Sequence, residues 1–458
     1  MVNKIISKIL ISLAFVGFFS CQKDDTEIAT SEVTSEIVYE QYGVPFDNVP
    51  ENNDIVLYEV NLRAFSPTGD IQGVINKLDH IQSLGVNVIW LMPIHPIGQI
   101  NSVNSPYSVK DYKAVSSEYG TLDDLRNLTD AAHSRGIAVI MDWVANHTAW
   151  DNPWIENTSW YSQDSQGNII HPPGTNWLDV ADLNYTNSDM RAAMVDAMKY
   201  WIYNANIDGF RCDYADGVPF DFWQNTWETI NSIPGREFIL FAEGSRSNHF
   251  SAGFDISFSW NFYGAVKDVF NGQSVSKIYT AHSNEYDNII SGKQWVRFTT
   301  NHDESAWDAT PVELFNGIDG ALAASVVTIF TGGVPLIYGS QEVGTANNIP
   351  FFFNSTINWS NNPDMLEAYQ TMLQYYNGSG AAKSSLNSIY ENNDVVCFKK
   401  IEGAEELLII VNVRNNTTNF AIPSELNSSS WTDVLSQSTI SLNDQIVLEP
   451  YKFYILSN

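Results

Sequence analysis

The stretch GFRCDYADG, residues 209–217, closes the apolar run YWIYNANID and carries Arg211 and Asp213 two positions apart. Strand side chains alternate faces, so a strand here points both charges the same way and Cys212 the other. Charges aimed into an interior are costly unless they pair with each other or hold a ligand. The stretch therefore reads as a buried strand whose end has a chemical task. Its neighbours decide which fold delivers it.

Outward from it, short apolar runs alternate with amphipathic ones. IVLYEV (55–60) is a strand and IQGVINKLDHIQSLG (71–85) a helix that stops at Gly85. Strands follow at 86–91 and 137–143, separated by the helical LDDLRNLTDAAHSRG (122–136). Beyond the helical MRAAMVDAMKYWIYNA, further strands are expected at 207–213, 238–243, 254–258, 295–301 and 335–338. Continuous apolar strands alternating with helices predict a parallel sheet covered on both faces. Eight of them suit an α/β fold closed into a (β/α)8 TIM barrel over residues 54–380. The connection at 146–188 is too long and too polar for a plain loop and predicts a small excursion domain after strand three. After residue 380 the rhythm changes to β-rich runs separated by Asn, Gly and Ser, which predict a C-terminal antiparallel β-sandwich domain, 381–458.

The net charge of −30 repels phosphate backbones and excludes nucleic acid as a partner. Aromatic residues make up 13% of the chain, enough to fill a large core and leave some on loops to stack on sugar rings. Cys212 and Cys397 lie far apart with no CxxC neighbour, so neither a disulfide nor a zinc site is expected.

In such a barrel the chemistry sits at the C-terminal strand ends. Strand three ends in DWVANH, with Asp142, Asn146 and His147; strand four in GFRCD, with Arg211 and Asp213. Strand five ends in FAE, with Glu243, and strand seven in FTTNHD, with His302 and Asp303. A lone Asp after a strand is usually a cap, and Arg211 with Asp142 makes an ordinary buried ion pair. Carboxylates at four strand ends, together with an Arg and two His, are a different matter.

DWVANH, GFRCDYA, FAE and FTTNHD resemble, in order and spacing, the four signature regions of the α-amylase family, glycoside hydrolase family 13. The resemblance covers nearly all of residues 54–458. It implies a retaining hydrolase of α-1,4-glucans such as starch or maltodextrin. Asp213 would be the nucleophile and Glu243 the acid and then the base. Asp303 would bind the ring hydroxyls most strongly in the transition state. Arg211 should keep Asp213 ionised, with Asp142 anchoring it from below. Like charges should raise the Glu243 pKa. His147 and His302 would bond hydroxyls of the same sugar, and Tyr107 in SPYSVKDY matches the stacking tyrosine beneath it. The resemblance further implies a structural Ca2+ held by Asn146, Asp182 and the carbonyl of Gly217.

Two departures bear on substrate. Many α-amylases carry Lys-His where this chain has Asp216-Gly217, and Asn104 stands near a position where many have His. They keep open a cyclodextrin or maltooligosaccharide hydrolase, or a glucanotransferase. A third reading, a glycan-binding lipoprotein without activity, fits poorly with the presence of all three acids.

Residues 1–20, MVNKIISKILISLAFVGFFS, have the layout of an export signal. FFSC resembles a relaxed bacterial lipobox, making Cys21 the expected lipidation site, and QKDD resembles an acidic sorting signal. The expectation is a monomeric outer-membrane lipoprotein exposed at the cell surface. It would touch the membrane only through lipid at Cys21, with residues 21–53 as tether.

Overall fold

A computed structural model of the protein describes residues 39–458. The signal segment, Cys21 and the start of the tether lie outside the described residues. Residues 39–53 are not free tether, as expected, but packed chain. The Tyr42 N–H donates to the Tyr203 carbonyl at 2.7 Å, and the buried Phe46 ring stacks on His133 at 4.4 Å. Tyr39, Tyr42 and Phe46 supply the aromatic anchors that the polar composition around them hides.

Eight parallel strands close into a barrel: β1 (Leu57–Val60), β2 (Val88–Leu91), β3 (Ala138–Val144), β4 (Gly209–Asp213), β5 (Ile239–Ala242), β6 (Ile256–Phe258), β7 (Gln294–Arg297) and β8 (Val334–Tyr338). Each pairs with its sequence neighbours, and β8 returns to β1. Gly209 permits the β4–β5 approach, since a Cβ there would stand 2.0 Å from the Ile239 carbonyl oxygen.

Alternate strand residues fill the barrel interior: Leu57, Val88, Trp90, Ala138, Ile140, Ile239 and Phe241 belong to one apolar cluster. Their neighbours Val56, Tyr58, Ile89, Val139 and Met141 pack outward with the helices. The period of two continues past the apolar layer. The next inward positions on β1, β3, β4 and just past β5 are Glu59, Asp142, Arg211 then Asp213, and Glu243. Register aligns them, with Asp142 opposite Arg211 and the Glu243 N–H bonded to the Cys212 carbonyl at 3.0 Å.

Two elements differ from expectation. The helix read at 71–85 is broken into Ile71–Ile75 and Leu78–Ser83, with Lys77 leaving helical geometry at φ −111° and ψ 4°. The strand read at 295–301 ends at Arg297, and Asn301 instead caps a short helix, His302–Trp307, accepting from the Glu304 N–H. His302 and Asp303 therefore sit on a helical first turn.

After β3 the chain runs through an antiparallel pair, His147–Ala149 with Val180–Asp182. It returns at the helix Ser188–Ala205, capped by Asn187. The C-terminal region holds a six-stranded antiparallel sheet and a two-stranded one, Thr418–Ala421 with Gln445–Leu448. The larger sheet buries both faces. Val395, Cys397, Leu408 and Ile410 pack with Phe420 and Leu448 of the smaller sheet. Val396, Phe398, Leu407 and Ile409 join the core that covers the barrel helices.

Candidate active site

Arg211 organises the mouth of the barrel. Its guanidinium is fully buried, with Nη1 2.9 Å and 3.1 Å from the two Asp142 oxygens and 3.1 Å from Asp213 Oδ1. Nη2 lies 3.0 Å from Glu243 Oε2, out of line for a hydrogen bond. Glu243 Oε2 instead accepts the Tyr214 N–H at 2.7 Å. Tyr214 can aim that N–H because its backbone is left-handed at φ 40°, a strained conformation for a non-glycine residue. The Trp90 indole N–H and the Tyr107 hydroxyl donate to Asp142 Oδ2 at 3.1 Å and 3.0 Å. The expected anchoring of Arg211 by Asp142 is thus what the structure places there.

Burial and then Glu243 push the Asp213 carboxyl well above the usual carboxylate range, against the opposite pull of Arg211. This corrects the expectation that Arg211 keeps Asp213 ionised. The nitrogen facing Asp213 also serves both oxygens of Asp142, and three carboxylates surround one cation.

His302 is held from two sides. Its Nδ1 lies 2.5 Å from Glu59 Oε1, and its Nε2 lies 2.8 Å from the Tyr107 hydroxyl and 3.5 Å from Asp303 Oδ2. Burial opposes its charge, but Asp303 and Glu59 prevail and raise its pKa to about 9, so the imidazole is cationic at neutrality. His147 is the reverse case: burial lowers it to about 4 and leaves it neutral.

A cavity of ≈ 640 Å³ opens over these groups, lined by Tyr107, His147, Asp213, Glu243, His302 and Asp303. The rest of the wall mixes polar groups (Asn101, Ser105, Asn176, Asp179) with a large aromatic and apolar share. Trp177 and Leu178 come from the excursion, Tyr214 from the β4 end, Trp307 from beyond β7 and Phe351 and Phe352 from beyond β8. The Tyr107 ring packs against His302 at 5.4 Å and Phe351 at 5.7 Å, and those two rings also touch at 5.8 Å.

Sequence reasoning missed Glu59, a lone carboxylate inside the apolar IVLYEV, although its inward period of two was a usable signal. It also missed Phe351 and Phe352, which no pattern marks. Asp216, where a Lys would reach the cleft, turns away. It accepts from His249 Nε2 at 2.6 Å, and from the Ser245 N–H and hydroxyl, each at 2.8 Å. Arg246 returns the bond, donating to the carbonyls of Ala215 and Val218.

Paired carboxylates on a buried guanidinium, at the C-terminal mouth of a parallel barrel with a sugar-sized aromatic cavity, define a glycosidase-type site. The α-amylase catalytic-domain family matches residues 42–175 and 174–375, and the chain belongs to that family. It is an α-amylase-family glycoside hydrolase. Alpha-amylase 3 of Dictyoglomus thermophilum is 26% identical over 75% of this chain and 76% of its own length. Alpha-amylase MalA of Haloarcula japonica is 26% identical over 86% of this chain, and the cyclomaltodextrin glucanotransferase of Bacillus licheniformis 26% over 90%. The chain spans 60% and 64% of those two relatives, less than two thirds of each. Among solved structures, an α-amylase from Lactobacillus plantarum superposes with a TM-score of 0.79 at 25% identity, covering 89% of this chain and 99% of that one. The Geobacillus thermoleovorans α-amylase complexed with acarbose gives 0.77 at 21% identity, with the same coverages.

Proposed function

We propose that the protein hydrolyses α-1,4-glucan, such as starch or maltodextrin, with retention of configuration. The observation that carries this reading is the Asp213–Glu243 pair on one guanidinium, a close pairing that leaves a carboxylate free to attack carbon directly. A sugar resting on Tyr107 is bonded by Asp303, cationic His302 and neutral His147. An Asp213 oxygen attacks the anomeric carbon while Glu243, acting as the acid, passes a proton to the leaving glycosidic oxygen. Glu243, now a carboxylate, takes a proton from water. That water displaces Asp213 and regenerates both groups. Glu243→Gln removes the proton donor, and loss of maltooligosaccharide release from amylose tests the assignment. Turnover at the wild-type rate overturns it.

A cyclodextrin or maltooligosaccharide hydrolase, or a glucanotransferase, is the second reading. It is favoured by Asp216, which leaves the aglycone side without the cation found in many amylases. Chromatography of products from amylose, maltoheptaose and cyclodextrin separates the two.

We extend the proposal to a structural Ca2+. Asn146 Oδ1 lies against Gly217, where an added Cβ would stand 2.2 Å from it, and Asp182 pairs with His147 across the hairpin. Amide, carbonyl and carboxylate oxygens suit this hard cation. Among the described residues no group of three His, Cys, Asp or Glu side chains is placed to hold a metal, so neutral oxygens would supply most of the ligands. Export and lipidation at Cys21 remain part of the proposal, resting on residues 1–25. Loss of lipid labelling in Cys21→Ser tests it.

A further inference from the structure

The wall of the cavity is not symmetric. Over the β1 sector, two loops from different parts of the chain are clasped together by Arg63, the second residue of the short helix Leu62–Phe65 after β1. Arg63 is 2% exposed and fully engaged. Nε and Nη2 hold the two Glu118 oxygens at 2.8 Å and 3.0 Å, and Nη1 donates to the Asn104 carbonyl at 2.9 Å. Asn104, left-handed at φ 65°, donates Nδ2 to the Phe352 carbonyl at 2.6 Å. The segment after Phe352 runs back along the same helix, with the Ser355 and Ile357 N–H groups donating to the Arg63 and Ala64 carbonyls at 3.0 Å each. Val103, Ser105, Phe351 and Phe352, from both clasped loops, line the cavity.

The chemistry gives this wall a direction. The leaving part of a glucan lies on the side of its proton donor, Glu243, beyond β5. The retained part lies over Tyr107, His302 and Asp303 and extends towards β8 and β1. In the closed strand order β1 stands opposite β5. The clasp therefore blocks the side on which the non-reducing end is held.

We infer that the Arg63–Asn104–Phe352 clasp makes this site end-acting: it accepts glucan chains by a free non-reducing end and releases a short block of fixed length. The inference rests on the reading of the site as a retaining α-glucan hydrolase. A chain continuing past the retained sugars meets Phe352 and the Asn104 loop instead of open solvent. The clasp is rigid because its central cation is buried and its hydrogen bonds are charge-assisted or backbone-directed.

The test uses maltoheptaoside with the non-reducing end either free or blocked by a cyclic acetal, all fragments being separated by chromatography. The wild-type protein is expected to cleave the free substrate at least ~100-fold faster, the scale of loss when a substrate cannot reach its productive position. Equal rates on both would overturn the clasp while leaving the hydrolase intact. Cleavage of neither overturns the hydrolase reading, and the clasp with it. Asn104→Gly keeps the left-handed backbone and removes the donor to Phe352. It is expected to raise the blocked-to-free ratio by ~10-fold or more as the wall loosens. An unchanged ratio in a folded variant removes Asn104 from the assignment. On amylose, one product length from the earliest times supports the inference, and a spread of lengths counts against it.

Discussion

Glu59 Oε1 lies 2.5 Å from His302 Nδ1 at the base of the cleft, and both side chains are buried. The pair converts a residue of strand β1 into a control on the charge facing the sugar. With Glu59→Gln, one of the two anions that raise the His302 pKa to about 9 is gone and burial takes over. His302 then loses its proton at lower pH. The alkaline limb of kcat/KM is expected to move towards neutrality by ~1 pH unit or more, with kcat at pH 8 falling ~10-fold or more. The measurement is a pH–rate profile of both proteins, and coincident alkaline limbs would exclude the coupling.

The acid limb reports the other pair. Asp213 must be ionised to attack, and burial with Glu243 places its carboxyl well above the usual range. Activity is therefore expected to fall with acidification while pH is still above about 4, where an ordinary exposed Asp would remain ionised. A profile of kcat/KM flat down to pH 4 would show that Arg211 dominates after all.

Asp216 fastens the loop after β5 to the end of β4, and Glu243 begins that loop. Hydrogen bonds from His249 and the Ser245 backbone and hydroxyl hold the Asp216 carboxyl well below the usual range, outweighing burial. A carboxylate depressed in the fold adds stability above its unfolded pKa and loses it as pH falls through the folded value. Asp216→Asn should cost ~1–3 kcal/mol near neutrality, and the difference from wild type should shrink below about pH 4. Denaturant midpoints at pH 7 and pH 3.5 check the sign. Displacement of Glu243 should lower kcat as well.

The barrel was legible because its strands are continuous apolar runs between helical ones, and every barrel strand overlaps its expected stretch, although the one read at 295–301 ends at Arg297. Three of the carboxylate-bearing strand ends were legible because the inward period of two carries past the apolar layer into Asp142, Arg211, Asp213 and Glu243, whereas Asp303 sits on a helical first turn. Glu59 obeys the same period, but a single carboxylate in an apolar run has no partner until the folded barrel brings His302, from the helix beyond β7, against it. The clasp was not legible. Arg63, Asn104 and Phe352 are far apart in sequence, and Phe352 contributes only its carbonyl, which no residue type encodes. Asp216 was read correctly as a departure, yet its partner His249 lies on the next strand's loop. Residues 39–53 misled through composition, since three aromatic anchors outweigh the polar residues between them.

Lys400 offers a test of how the C-terminal sheet is joined to the barrel. Its ammonium is buried and donates to the carbonyl oxygens of Phe330 and Ala382 at 3.2 Å and 2.5 Å, each near a helix C-terminus. Loss of hydration lowers its pKa to about 7. A base whose folded pKa lies below its unfolded value, near 10.4, disfavours the fold when protonated. The penalty is complete below pH 7, recedes between pH 7 and pH 10, and is absent above. At 1.36 kcal/mol per pH unit the recovery has an upper bound of roughly 5 kcal/mol. Lys400→Met carries no such penalty but leaves two carbonyls unpaired, which costs ~1–3 kcal/mol at every pH. The stability of wild type relative to Lys400→Met should therefore rise as pH goes from 7 to 10, with little change between pH 5 and pH 6.5. Urea titrations of both proteins across that range read the difference directly. A constant offset would mean that Lys400 keeps its charge at the join, balanced by the helix ends it caps.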